Sequence, residues 1–175
     1  MVPASYLYET LSQCCKLHRP IRLRRDYDSE HLYGLPTAVE FIEREFLALR
    51  VLKDDAFDGW TILNLMDIVF VEIMKDYRDL SGLDQSFPVI NGTNWTTIFE
   101  SAQRYTRLIE LYSESIQRDI LYVASNVTVN SELLHGSEIG TCGREIGDLL
   151  MPMKSLSRIC FNTRYTELLS LKFES

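Results

Sequence analysis

The chain has 175 residues, with 18 Lys and Arg against 25 Asp and Glu, for a net charge of −7. Its 46% apolar and 25% charged content excludes a disordered chain and suits a folded domain that needs no disulfides. The acidic balance argues against a phosphate backbone as partner, so no nucleic acid is expected.

Ser5 is placed to cap a first helix with Leu7, Leu11, Cys14 and Leu17 on one face, stopping near Pro20. Residues 19–35 are charged and irregular and read as a flexible loop, with Arg19, Arg22, Arg24 and Arg25 as a solvated cluster. Thr37 and Glu40 form a capping-box pattern. They open an expected helix over 38–52 with Val39, Ile42, Phe46 and Leu49 on one side. Asp58-Gly59 marks a break.

Trp60 to Tyr77 is apolar nearly all round. Ile68-Val69-Phe70-Val71 alone would also suit a buried strand, but the length of the run favours helix. A second loop is expected around 78–93. Asn91-Gly92 is a turn signal, and Asn94 can accept from the free amides of a first turn. Trp95 then opens a stripe through Ile98, Phe99, Ala102, Tyr105, Ile109 and Tyr112. A further helix is expected at Ile116, Ile120, Val123 and Val127. Gly136, Gly140, Gly143 and Gly147 read as tight connections. A last helical segment follows Pro152, with Leu156, Ile159, Cys160, Leu168, Leu169 and Leu171. No internal repeat is visible. The expectation is an all-α chain, a single domain over residues 1–175 with about seven helices around one central apolar helix.

Catalytic and metal motifs are absent from this reading. Cys14, Cys15, Cys142 and Cys160 lack zinc spacing and secreted-scaffold density. Glu132-Leu133-Leu134-His135 supplies one Glu-x-x-His where a di-iron bundle needs two, plus two further glutamates. The late glycines form no dinucleotide-binding fingerprint. His18, His31 and His135 stand in no nucleophile motif. No enzyme, no metal and no cofactor is expected. With no signal peptide and no apolar run of about 18 residues, the expected location is cytoplasmic, with no transmembrane anchor.

Three segments in order resemble the Bcl-2 family. The stretch 38–52, with Glu40-Phe41 and Arg44, resembles that family's second helix. Val69 to Asp76 is similar to the run ahead of its first homology motif, and Asn94-Trp95 to the motif itself. The family's Gly-Arg after Trp is Thr96-Thr97 here, its second motif is missing, and the chain lacks the usual C-terminal anchor. Such erosion resembles the pro-survival copies carried by large DNA viruses. The resemblance favours the Trp95 segment as central helix, whereas apolar content favours the Trp60 segment.

That resemblance implies a pro-survival protein that inhibits apoptosis by holding amphipathic helices of pro-apoptotic relatives in a surface groove. Its implied walls are Phe41, Glu45, Leu49, Val69, Ile73, Asn94, Trp95, Ile98 and Arg104. Arg104 would stand in for the missing motif arginine at Thr97. A homodimer covering the apolar groove is a second expectation, and peripheral association with mitochondria a second location. The alternative is a helical interaction or scaffold protein unrelated to apoptosis and without enzymatic activity.

Overall fold

The structure is a computed structural model that describes residues 4–26, 31–38, 46–53, 56–75, 94–114, 119–130 and 132–173. One antiparallel sheet dominates it. In chain order come α1 (Ala4–Lys16), β1 (Ile21–Arg25), β2 (Leu32–Ala38), β3 (Phe46–Lys53), β4 (Ala56–Asn64), a 3-10 turn at Leu65–Asp67 and β5 (Ile68–Ile73). Then follow α2 (Trp95–Gln103), β6 (Ile109–Glu114), β7 (Asp119–Val129), β8 (Leu133–Ile139), β9 (Glu145–Pro152), a second 3-10 turn at Met153–Ser155, β10 (Leu156–Phe161) and α3 (Arg164–Phe173). The ten strands lie in the order β5-β1-β2-β3-β4-β10-β6-β7-β8-β9.

The expected all-α bundle of about seven helices is therefore corrected to a sheet protein with three described helices. The first helix forms where its stripe placed it, over Ala4–Lys16. The Asn94 helix also forms, but it ends at Gln103. Ile109 and Tyr112, read as a continuation of its stripe, belong to β6. The described part of 38–52 is mostly strand β3, and the Trp60 run is strand, 3-10 turn and strand. The expected helix with Val123 and Val127 is β7. The last segment divides into β10 and α3. The loop at 19–35 holds β1 and the start of β2.

The sequence misleads here for a physical reason. Phe46 to Leu49 is buried on both sides of β3, because each sheet face carries a helix, so the run shows no alternation.

The two halves share one plan. Each runs helix, four-strand meander, 3-10 turn, and a fifth strand returning to pair with the first, β5 with β1 and β10 with β6. Apolar positions repeat with them. Leu7 and Trp95 stand 88 positions apart (95 − 7), as do Leu11 and Phe99, Ile21 and Ile109, Leu23 and Leu111, Val71 and Ile159, and Ile73 and Phe161. The structure thus shows a repeat that residue identities conceal. The halves join side by side through β4 and β10, with Ile62 opposite Ile159 and Trp60 opposite Phe161.

Each half is curled. Five strands laid flat would separate the outer two by about 19 Å. The link from Asn64 to Ile68 spans only the turn Leu65–Asp67 and can reach at most about 14 Å. The same holds from Pro152 to Leu156. Register shifts at Arg24/Arg25, Pro36/Ala38 and Arg50/Leu52 in the first half, and at Ser125/Thr128 in the second, supply bends. Arg25 on β1 shows the result: its Nη1 donates to the Ser157 carbonyl on β10, 3.3 Å away.

The halves curl around opposite faces of the sheet. Leu11 and Cys14 of α1 pack with Ile21, Leu23, Leu47, Leu49 and Leu63. Ile98, Phe99 and Ala102 of α2 pack with Ile109, Leu111, Ala124, Leu134, Met151, Ile159 and Phe161. Phe46, Ala48, Trp60 and Ile62, on the outer face of the first half, join that second cluster. Leu169 of α3 packs with Leu108, Val123 and Ile139 on the outer face of the second half. Among the described residues no helix is long and apolar enough to cross a membrane.

Candidate functional site

Two places concentrate chemistry, one buried and one exposed. The buried one lies beneath the start of α3. Glu110 on β6 pairs directly with Cys160 on β10, and Tyr112 with Arg158. Glu110 is only 4% exposed. Its Oε1 accepts from the Thr163 hydroxyl, and its Oε2 from the Tyr112 hydroxyl at 2.9 Å. Thr163 Oγ1 in turn accepts from the Thr166 amide at 3.1 Å, capping α3. The Arg164 amide donates to Asp58 Oδ1 on β4 at 2.7 Å. The Arg158 guanidinium stacks over the Tyr112 ring at 3.9 Å.

This cluster anchors a helix and offers no ready nucleophile. Burial pushes the Cys160 thiol up to about 11, against the opposing pull of Arg158. Its Sγ lies 3.1 Å from Thr61 Oγ1. Burial also raises the Tyr112 phenol well above its ordinary range, with Cys160 and Glu110 adding to the rise. Both groups therefore stay protonated at neutral pH, so neither thiolate nor phenolate is present to attack a substrate.

The exposed place is the outer face of the second half, at the open end of the sheet. β9 pairs only with β8 in the described sheet. Leu150 lies opposite His135, and Asp148 opposite Ser137. Alternation puts Asp148 and Leu150 on the outer face, while Leu149 and Met151 point into the α2 cluster; Ile146 is the extra residue at the register shift between Glu138 and Ile139. Ile146 and Leu150 are each 62% exposed, and Leu133 on β8 is 37% exposed. From Glu145 to Asp148 the strand is exposed on both faces. On α3, Tyr165, Leu168 and Leu171 form a second exposed ridge at helical spacing.

The described residues among those implied as groove walls lie on different faces of the sheet. Leu49 is buried beside α1, with Ile73 packed at the edge of the same cluster. Ile98 lies in the α2 cluster on the opposite face, with Trp95 against it and against Phe46 at 4.4 Å between rings. Val69 is an exposed residue of β5. Asn94 caps α2, accepting from the Thr97 amide at 3.0 Å, and Arg104 is that helix's exposed C-cap. Phe41 and Glu45 lie outside the described residues. Among the described residues no group of His, Cys, Asp and Glu is arranged to hold a metal.

Sequence reasoning passed over Leu133, Ile146 and Leu150. The available signal was alternation, since Ile146, Asp148 and Leu150 follow the two-residue step of a half-covered strand.

Comparison of the chain with family models, curated proteins and solved structures finds no match. The Bcl-2 resemblance is accordingly corrected: no family match supports it, and two of its three segments are strands where that family would need helices. The helical bundle and the inhibition of apoptosis that it implied lose their basis with it.

Proposed function

We propose that this chain is an interaction or scaffold protein that acts by association and not by catalysis. Its contact surface is the outer face and free edge of β9. The occupant is an extended strand that lays apolar side chains against this face. Edge amides and carbonyls supply generic pairing, while Leu133, Ile146 and Leu150 supply apolar contacts. Glu145 and Asp148 on the same strand make a peptide with basic residues between its apolar ones a suitable probe.

One observation carries the reading: large aliphatic side chains stand exposed beside a strand edge that has no partner among the described residues. Soluble monomers rarely leave such patches without a use. The buried Glu110 cluster supports the non-catalytic part, because its polar groups serve the start of α3.

The test uses a short synthetic peptide alternating valine and lysine, followed by fluorescence anisotropy. Saturable binding is expected, weakened at least about tenfold, or about 1.4 kcal/mol, by the double substitution Leu133→Lys with Leu150→Lys. Absence of saturation at high micromolar protein, or binding indifferent to that double substitution, overturns the reading.

A further inference from the structure

The two-half plan suggests what fits on the β9 edge. In the first half, the matching edge is β4, and it is covered by the second half. The correspondence follows the strand pairing, with an offset of 88 from β4 to β9 and of 87 from β3 to β8. Ile62 on β4 matches Leu150 on β9, since 150 − 62 is again 88. The two occupy like places, Ile62 opposite Ala48 and Leu150 opposite His135. Phe46, at the start of β3, matches Leu133 at the start of β8.

Their surroundings differ sharply. Ile62 is 0% exposed and Phe46 4%, because β10 and α2 cover them. Among the described residues Leu150 and Leu133 have no such cover, at 62% and 37% exposed. The paired glycines repeat the contrast. A Cβ on Gly59 would lie 2.5 Å from the Phe161 carbonyl oxygen on β10, whereas one on Gly147 would meet nothing within 4 Å. The second half is therefore shaped like a surface that the first half keeps covered.

The covering element also has a free counterpart. β10 matches β5, with Ile159 corresponding to Val71 and Phe161 to Ile73. β5 pairs only with β1 in the described sheet. Its Val69 and Phe70 are exposed. The strand directions agree, since both β4 against β10 and β9 against an incoming β5 are antiparallel in this order.

We infer that the β9 edge receives the β5 edge of a second copy of this chain, head to tail, repeating between molecules the join that β4 and β10 make within one. This rests on the interaction reading above and names the partner. Carrying over the register of the internal join sets Val71 of the incoming copy opposite Leu150, and its Ile73 opposite Asp148. Such a contact uses different surfaces on the two copies. It leaves one β5 and one β9 free at the ends, so it propagates into an open chain or closes as a ring.

Sedimentation velocity over a concentration series tests this. The intact chain should grow beyond a dimer as concentration rises. Leu150→Lys disables the β9 edge, and Ile73→Asp sets a carboxylate against Asp148 and disables the β5 edge. Each variant alone should sediment as a monomer. Mixed, they should form a one-to-one dimer and nothing larger, through the intact β5 of the first and the intact β9 of the second.

Oxidative cross-linking provides a second measurement should Ile73→Asp fail to fold. With Cys142→Ser removing the exposed thiol, Val71→Cys together with Leu150→Cys should give a ladder of linked species. A dimer of Ile73→Asp alone, a monomeric mixture of folded variants, or no ladder overturns the head-to-tail join. An intact chain that stays monomeric yet binds the valine–lysine peptide overturns the join and leaves the interaction reading standing. Failure of peptide binding together with a ladder would do the reverse for the choice of occupant.

Discussion

In the first half of the molecule, Phe46 and Ile62 lie beneath α2 and β10; in the second, Leu133 and Leu150 hold the matching places and face outward. The polar pairs differ in the same sense. Arg22 and Glu72 face each other across β1 and β5 as a solvent-washed ion pair. Their counterparts across β6 and β10, Glu110 and Cys160, are buried at the middle of the sheet. One plan repeated twice thus gives two environments, set by what lies alongside. Inner faces behave alike because each half supplies its own helix. Among the described residues, outer faces diverge because α2 and β10 cover the first half at Phe46 and Ile62, whereas α3 covers the second only around Leu108, Val123 and Ile139.

The comparison breaks most readily at the apolar outer face. Phe46→Ala should cost about 3–5 kcal/mol and Ile62→Ala about 2–5 kcal/mol, since each leaves a cavity in a closed cluster. Leu133→Ala and Leu150→Ala should fall within about 0.5 kcal/mol when measured below the concentration of association. Urea midpoints of the four variants decide it. A shift for Leu150→Ala equal to that for Ile62→Ala would mean that the second half has cover from within its own chain.

The polar pairs come next. Glu110→Ala leaves the Tyr112 and Thr163 hydroxyls without their acceptor, at about 1–3 kcal/mol for each group stranded in the interior. Glu72→Ala breaks an exposed ion pair and should cost about 0.2–1 kcal/mol. Loss of far-ultraviolet helical signal is expected for Glu110→Ala, because Thr163 and the first turn of α3 depend on that carboxylate. A near-neutral result would show that α3 docks through Leu169 and its apolar neighbours alone.

Parts of this design were legible in the residues. The stripe Leu7, Leu11 and Cys14 identified α1, and the cap at Asn94 identified the start of α2, because helices of an outer layer keep one wet side. β3 was not legible, since burial on both faces erases the two-residue period. Ile68 to Val71 was recognised as ambiguous, and length misjudged it: two strands with a three-residue turn between them imitate one long apolar helix. The contact face was missed for a related reason. Its importance comes from the repeat of 88 positions, and that repeat conserves apolar character at Leu11 and Phe99, or Ile73 and Phe161, without conserving identity. Only the pairing of strands makes Leu150 comparable with Ile62.

Alkaline pH separates the halves more gently. Cys160 ionises near 9.0 when unfolded, and its folded value is pushed up to about 11. The folded state holds this proton longer, so its contribution is fully present below about pH 9 and is lost as pH rises towards 11. Stability should therefore decline across that window, by up to about 1.4 kcal/mol per pH unit for this group. Cys160→Ala should flatten part of the decline in a pH series of urea midpoints. An unchanged slope in Cys160→Ala would mean that the buried thiol is not what separates the two joins.

The smallest effect concerns how each half starts its helix. Asn94 accepts from the Thr97 amide at 3.0 Å, and the Thr97 hydroxyl accepts from the Asn94 amide at 3.3 Å, so both sides of a capping box are present. The position 88 residues earlier is Tyr6, which lies inside α1 and caps nothing. The cap therefore belongs to the second half alone, where α2 is shorter than α1 and gains more from satisfying its first amides. Asn94→Ala should cost about 1 kcal/mol, and Asn94→Asp should restore or slightly exceed the original stability through the helix dipole. Because Asn94 is exposed, a cost well above about 2 kcal/mol exceeds what a cap supplies. Such a result would place a further contact at the mouth of α2, and the second half would then owe its order to more than its own helix.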